Sequence, residues 1–292
     1  MNDFVTDLTA KRELGNKLLS GIRNLPPVPF LMLEVSKMLE NPRVGASDLS
    51  KVISKDQAMV AKILTVANSP LYGLPRRVST LEFAIVILGF DQIKNIIVAF
   101  SMMDAFRTID ERNWNKRAYW FHSIMTAIAA KRIADDLGYR KSGEAFTVGL
   151  LHDLGITVIH KYFNNKFHEI VALVENQKMS YLSAEEKVMK LTHQEIGKFL
   201  IEKWNLPESI GDGILYHHTP SLATDNRELA AIVHLADCMT QRFLIGDFEW
   251  DENLMLDIGV INILNLGDLQ YLENFIDSYK DLFQAQYDSI IF

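Results

Sequence analysis

His152 and Asp153 stand side by side in Gly149-Leu150-Leu151-His152-Asp153-Leu154-Gly155, between apolar runs and just ahead of a glycine. His122 lies upstream; His193, the pair His217-His218, and Asp237 in His234-Leu235-Ala236-Asp237 lie downstream. Each is set in sequence that otherwise reads as apolar helix. Imidazoles and carboxylates gathered in a concave, mostly dry place are what a divalent cation takes from a protein. Neighbours on a helix stand about 100° apart, so His152 and Asp153 cannot point the same way. Both can still address one cleft if a helix end faces it, with Asp153 bridging two ions or orienting a water. A bundle whose facing helices each give one or two ligands is an ordinary way to build such a centre. A single buried histidine, by contrast, is more often a packing or capping residue. That is the reading for His160, His168 and His234, although His234 is close enough to Asp237 to support a site from behind. Spacing alone leaves the metal centre and the packing alternative evenly matched.

The elements that must hold these residues read as helices. A short polar one at 11–21 is followed by Pro26-Pro27-Val28-Pro29, whose fixed φ and missing donors make a rigid entry into the next. Phe30–Leu39 carries Leu31, Val35, Met38 and Leu39 at helical spacing. Ser47 opens another helix. Asp56 caps one with Val60, Ile63, Leu64 and Ala67 on its apolar face, which Asn68 and Ser69 terminate. Ser79 or Thr80 caps the next, which Gly89 ends. Phe90–Phe106 is long and apolar, and Tyr72 and Phe90 read as core or interface aromatics.

The apolar pattern lapses in the charged stretch Arg107–Arg117, which marks a boundary between a helical lobe at 1–110 and a second at 111–292. Beyond it, 118–137 carries His122, and a helix opened by Ser142 or Gly143 carries His152-Asp153 on towards His160. Phe167–Asn176 follows. Ser183-Ala184-Glu185-Glu186 reads as a helix start, with acids where the amide dipoles favour them. Thr192 and Glu195 form a capping box, and Pro207 suits the first turn of the helix reaching His217-His218. Glu228–Leu244 carries Asp237. Ile258–Leu266 is ambiguous, and Leu269–Phe283 is a terminal helix.

Composition limits the function classes. Of 292 residues, 48% are hydrophobic and 23% charged, as in soluble globular chains. No run of 18 apolar residues suggests a membrane span, and Met1-Asn2-Asp3-Phe4 has neither basic flank nor apolar core for a signal peptide. The single cysteine, Cys238, excludes an internal disulfide framework and an all-thiolate metal site, and fits the reducing cytoplasm. The net charge of -7 is uneven: residues 246–292 hold ten acids and one lysine, whereas 1–110 holds 13 Lys+Arg and 11 Asp+Glu. Such a balance argues against a generic nucleic-acid surface.

Several stretches together resemble the HDOD family of bacterial signalling domains, relatives of the HD superfamily of metal-dependent phosphohydrolases. In the first half they are Leu25-Pro26-Pro27-Val28-Pro29, Ile53-Ser54-Lys55-Asp56, Ala67-Asn68-Ser69-Pro70-Leu71-Tyr72-Gly73 and Ala84-Ile85-Val86-Ile87-Leu88-Gly89. In the second half they are Trp120-Phe121-His122-Ser123, Ala145 through Gly155, Trp204-Asn205-Leu206-Pro207 and Tyr216-His217-His218. The resemblance covers Ile22 to about Leu244 and implies an all-α fold, with an N-terminal helical lobe packed on an HD-like helical bundle. It implies a regulatory protein that acts through a signalling partner, with no established catalysis; hydrolysis of a phosphodiester is the alternative, and a nucleotide ligand stays open. Matched to the HD-GYP branch, which hydrolyses cyclic di-GMP, the chain keeps His122, His152, Asp153, His193, His217, His218 and Asp237 at ligand positions. One or two divalent ions are implied, whether iron, manganese, zinc or magnesium.

Two departures count against turnover. Where hydrolytic relatives carry a lysine that would stabilise phosphate charge, the chain reads Ile156-Thr157. After His218 it reads Thr219-Pro220-Ser221 in place of the run that names the HD-GYP branch. Were the chain active, Asp153 would be the residue to carry catalysis.

Overall fold

Local capping chemistry divides the chain into helices. In the computed structural model, which describes residues 2–22, 25–74, 76–106, 114–243, 248, 250 and 255–289, seventeen α-helices and two 3-10 turns appear and no strand does among these residues. The first six helices are α1 (Asn2–Ser20), α2 (Phe30–Leu39), α3 (Ala46–Ile53), α4 (Gln57–Ala67), α5 (Leu81–Leu88) and α6 (Phe90–Ala105). Asp56 accepts from Met59 N–H at 2.9 Å and Thr80 from Phe83 N–H at 3.3 Å, satisfying donors that a helix start leaves open. Gly89, at φ 82°, takes the corner between α5 and α6 that a side chain would strain. Asn68 ends α4, its amide donating to Leu64 O and Val78 O, both at 2.8 Å.

The second set is α7 (Lys116–Asp136), α8 (Ser142–Leu151), α9 (Leu154–Tyr162), α10 (Asn164–Gln177), α11 (Tyr181–Met189), α12 (His193–Lys203), α13 (Glu208–Leu215) and α14 (Arg227–Arg242). The last three are α15 (Val260–Ile263), α16 (Leu269–Asp277) and α17 (Lys280–Ser289). The element at the centre is α7. It is buried along most of its length, and Ala127, Ala129, Ala130 and Ala134 let α8 and α14 come close. Gly149 of α8 is required at that contact: a Cβ there would sit 2.8 Å from Ala127 Cα and 2.9 Å from Thr126 O. Buried apolar side chains from Leu19 to Phe283 form one continuous cluster, so both ends of the described chain pack into the same core. Trp204 adds a polar tie, its indole N–H donating to Pro26 O at 3.2 Å.

The all-α class stands, and several boundaries shift. The first helix begins at Asn2, well before the polar stretch that suggested it. The helix read through His152-Asp153 is broken there: α8 stops at Leu151 and α9 starts at Leu154. Glu185 is not in a helix start but in the middle of α11, whose cap is Ser180. Pro207 stands just outside α13, and the terminal helix is two helices, parted at Ser278-Tyr279. Phe90 is 38% exposed and so not a core residue, while Tyr72 accepts from Gln92 of α6 at 2.8 Å. Residues 107–113 of the charged boundary stretch, and Leu244 and Gly246 further on, lie outside the described residues. Among the described residues no single helix is long and apolar enough to cross a membrane.

Candidate metal centre

The break between α8 and α9 is what lets adjacent residues face one point. His152 and Asp153 occupy the two-residue corner, and both are fully buried. α7 presents His122, α12 starts with His193, the turn after α13 presents His217 and His218, and α14 presents Asp237. All seven are at most 5% exposed.

Asp153 lies between two groups. On the side of its Oδ2 are His152 Nε2 at 3.2 Å and His122 Nε2 at 3.8 Å; Asp237 Oδ1 stands 3.1 Å from His122 Nε2 and 3.8 Å from His152 Nε2. On the side of its Oδ1 are His193 Nε2 at 3.4 Å and His217 Nε2 at 3.7 Å, with His218 Nε2 3.2 Å from His193 Nε2. The triads His122-His152-Asp153, His193-His217-His218 and His152-His217-Asp237 each bring one donor atom per residue within 4.8 Å of the others.

The rings are aimed by their outer nitrogens. His152 Nδ1 lies 2.7 Å from Gly149 O, and His217 Nδ1 lies 2.6 Å from Ile214 O. In each case the carbonyl accepts from Nδ1–H, which turns Nε2 inward, as second partners of metal-bound histidines do. Glu185 plays that part for His193: its carboxylate oxygens are both 3.0 Å from Nδ1, and one accepts from the His193 backbone N–H at 2.7 Å. Gly155 permits the approach of α9 to the start of α12, since a Cβ there would lie 2.7 Å from the His193 carbonyl carbon.

Electrostatics shows how strained the cluster is with protons alone. Burial opposes charge on His152, yet Asp153 and Asp237 hold it at about 9. Burial likewise opposes charge on His193, which Glu185 and then Asp153 raise. Burial would lift Asp153 and Asp237, but the surrounding imidazoles hold both carboxyls below their ordinary range, with His152 foremost for Asp153 and His122 for Asp237. His217 is driven well down by burial and by His218; His218 is lowered to about 3 by burial and by His193. Both oxygens of Asp153, both of Asp237 and Nε2 of His217 are buried with no hydrogen-bond partner. Buried carboxylates without donors are costly, and lone pairs converging on one space fit a divalent cation. The residues present therefore fit a divalent cation.

The other histidines lie outside this cluster. His160 stacks on Trp114 at 5.0 Å, and half-buried His168 has Nδ1 2.8 Å from Asn164 O. His234 stands behind the cluster: its Nδ1 is 2.7 Å from His217 O, and its Nε2 accepts from Asp257 N–H at 2.8 Å, a neutral ring that burial keeps neutral. Thr157 caps nothing in the site; its hydroxyl donates back to Leu154 O at 2.7 Å. Sequence reasoning missed Glu185, although Tyr181, Ala184 and Val188 place it on the apolar face of its helix, an unusual seat for an acid.

Comparison with known proteins agrees with this architecture. Residues 25–220 match the HDOD domain family. A solved HDOD domain protein of unknown function from Geobacter sulfurreducens is 27% identical, with a TM-score of 0.75 over 98% of this chain and 100% of its own. A solved protein of Shewanella amazonensis SB2B shares the fold at 21% identity, with a TM-score of 0.70 over 94% and 98% of the two chains. A curated protein of Treponema pallidum (strain Nichols) is 24% identical over 95% of this chain, which spans about half (53%) of that relative's length. With two thirds of its length inside the family match, and the fold shared from end to end, the chain belongs to the HDOD domain family.

Proposed function

We propose that the protein is a regulatory signalling module that works by binding partners and holds divalent metal in its core, with His122, His152, Asp153, His193, His217, His218 and Asp237 as ligands. The observation that carries this reading is the burial of the whole cluster. Two large grooves, of about 880 and 830 Å3, open on the described surface, and none of the seven residues lines either. Among the described residues neither groove offers a dinucleotide a way to the cluster. Thr157, tied back into its own helix, offers no cation for a phosphate. A partner-binding role is supported by apolar side chains left uncovered on α2 and around the α5–α6 corner: Phe30 at 76%, Leu33 at 54% and Val86 at 64% exposure.

A hydrolytic role is the second reading, favoured by the completeness of the ligand set and the placing of Asp153 between two groups. A bound metal would there supply an activated water. The test is turnover by metal-loaded protein, with manganese and with anaerobic iron, against cyclic and linear dinucleotides. The regulatory reading expects none above a metal blank. Metal-dependent hydrolysis abolished in Asp153→Asn would put the enzyme first.

A further inference from the structure

Two aromatic residues outside the ligand set pack against the cluster and its supports. Phe248 stacks on His122, with centroids 5.0 Å apart and planes at 29°, and meets Tyr119, one turn earlier on α7, at 5.6 Å. Trp250 reaches the other group. Its indole N–H donates to Glu185 Oε1 at 2.7 Å, and Glu185 in turn holds both the Nδ1 and the backbone N–H of His193. The carboxylate thus meets an indole, a backbone amide and an imidazole in a fully buried place. The indole is fixed by stacking on Tyr181 at 4.1 Å and on Phe167 at 5.2 Å, both with planes at 23°. Trp114 joins Phe248 and Trp250 edge-on, at 6.4 and 6.0 Å.

Two residues two positions apart in sequence therefore touch both groups, at His122 and, through Glu185, at His193. We infer that Phe248 and Trp250 form a built-in cover over the metal cluster, and that Trp250 is a positioning residue for His193. The inference rests on reading the cluster as a metal site. Removing the indole N–H takes one of three donors from a buried carboxylate, which frees Glu185 to rotate and loosens the tautomer and aim of His193. Removing the Phe248 ring uncovers His122 while leaving Glu185 untouched. The two residues thus have separable effects: Trp250 governs how tightly the His193 side holds its ion, and Phe248 governs how fast solvent and chelators reach the His122 side.

The experiment uses the full chain as Trp250→Phe, Phe248→Ala and Phe248→Leu. Each is loaded with Co(II), and release to EDTA is followed by the visible absorption of the bound ion. Trp250→Phe keeps the aromatic stacking and is expected to weaken one ion of the pair about tenfold and change its d–d spectrum. Phe248→Ala is expected to release metal about tenfold faster, with the starting spectrum and metal content unchanged. Phe248→Leu, which keeps apolar bulk, falls between and serves if the alanine variant folds poorly. A second readout needs no metal: modification of histidines by diethyl pyrocarbonate in the metal-free chain. His168, which lies outside the cluster and is partly exposed, reacts in every variant, while the cluster is protected in the wild type and reactive in Phe248→Ala. A wild type that takes up no Co(II) sinks the metal reading, and the modification pattern still decides the cover. Variants that fold, release Co(II) at the wild-type rate with the wild-type spectrum, and stay protected overturn the inference.

Discussion

Gly155→Ala is the substitution for which the structure gives the sharpest consequence. A Cβ at that position would stand 2.7 Å from the carbonyl carbon and 2.8 Å from Cα of His193, and nearer still to its carbonyl oxygen. Ordinary contacts lie at about 3.5–4.0 Å, so α12 must retreat from α9 by about 1 Å. The obstacle is backbone, and no rotamer change relieves it. Alanine gains up to about 1 kcal/mol of helix preference over glycine, while overpacking of this kind costs about 1–3 kcal/mol or more. A net loss of about 1–2 kcal/mol would lower the melting temperature by roughly 2–8 °C. The same retreat pulls His193 Nε2 from Asp153 Oδ1, now 3.4 Å away, so bound metal should fall on that side as well. Gly211→Ala is the matched control: its Cβ would meet Lys198 Cγ at 3.5 Å, an ordinary contact, and should stabilise by about 0.5–1 kcal/mol. Thermal melts and metal analysis of both variants are the assay. A Gly155→Ala protein that melts at or above the wild type with full metal content would refute the reasoning.

Other outcomes follow from the same geometry. In the metal-free protein the raised His152, at about 9, contributes stability that is complete below its unfolded value near 6.5 and is lost as pH rises through 9. Metal must displace that proton, so titration calorimetry at pH 7.5 in buffers of different ionisation enthalpy should show proton release; uptake without release would contradict the assignment. Trp204→Phe keeps the ring contact with Phe106 at 5.3 Å and loses the bond to Pro26 O, at a cost of about 0.5–1.5 kcal/mol in denaturant unfolding. We propose that residues 1–110 and 111–292 are two lobes of one folding unit, given a core that runs through both. Expressed apart, at least one should lack a cooperative melt and the pair should associate on mixing; two stable fragments that ignore each other would sink that idea.

The sequence carried the helices wherever capping was local. Asp56, Thr80 and the Thr192-Glu195 box are each written within four residues of the bond they make, and each bond is present. Boundaries failed where tertiary packing decided them. Continuous helical spacing runs straight across His152-Asp153, whereas the corner there goes with a tertiary contact, the close passage of α12 behind Gly155. The seven clustered residues stood out because their types are rare in apolar helix, and family resemblance grouped them. Glu185, Phe248 and Trp250 were not. Their partners lie 8 to 126 positions away in the chain, taking His193 for Glu185 and His122 for Phe248, and a lone acid or aromatic announces no partner.

The central claim is that Asp153 joins two metal positions in the buried cluster. Metal analysis of the untagged protein, purified without added metal, then reloaded and desalted, tests it directly when run beside Asp153→Asn. The account predicts about two ions per wild-type chain and at most about one in the variant, with far-ultraviolet helicity intact. A wild type that retains no metal after reloading, or a variant that binds the full amount, would contradict it.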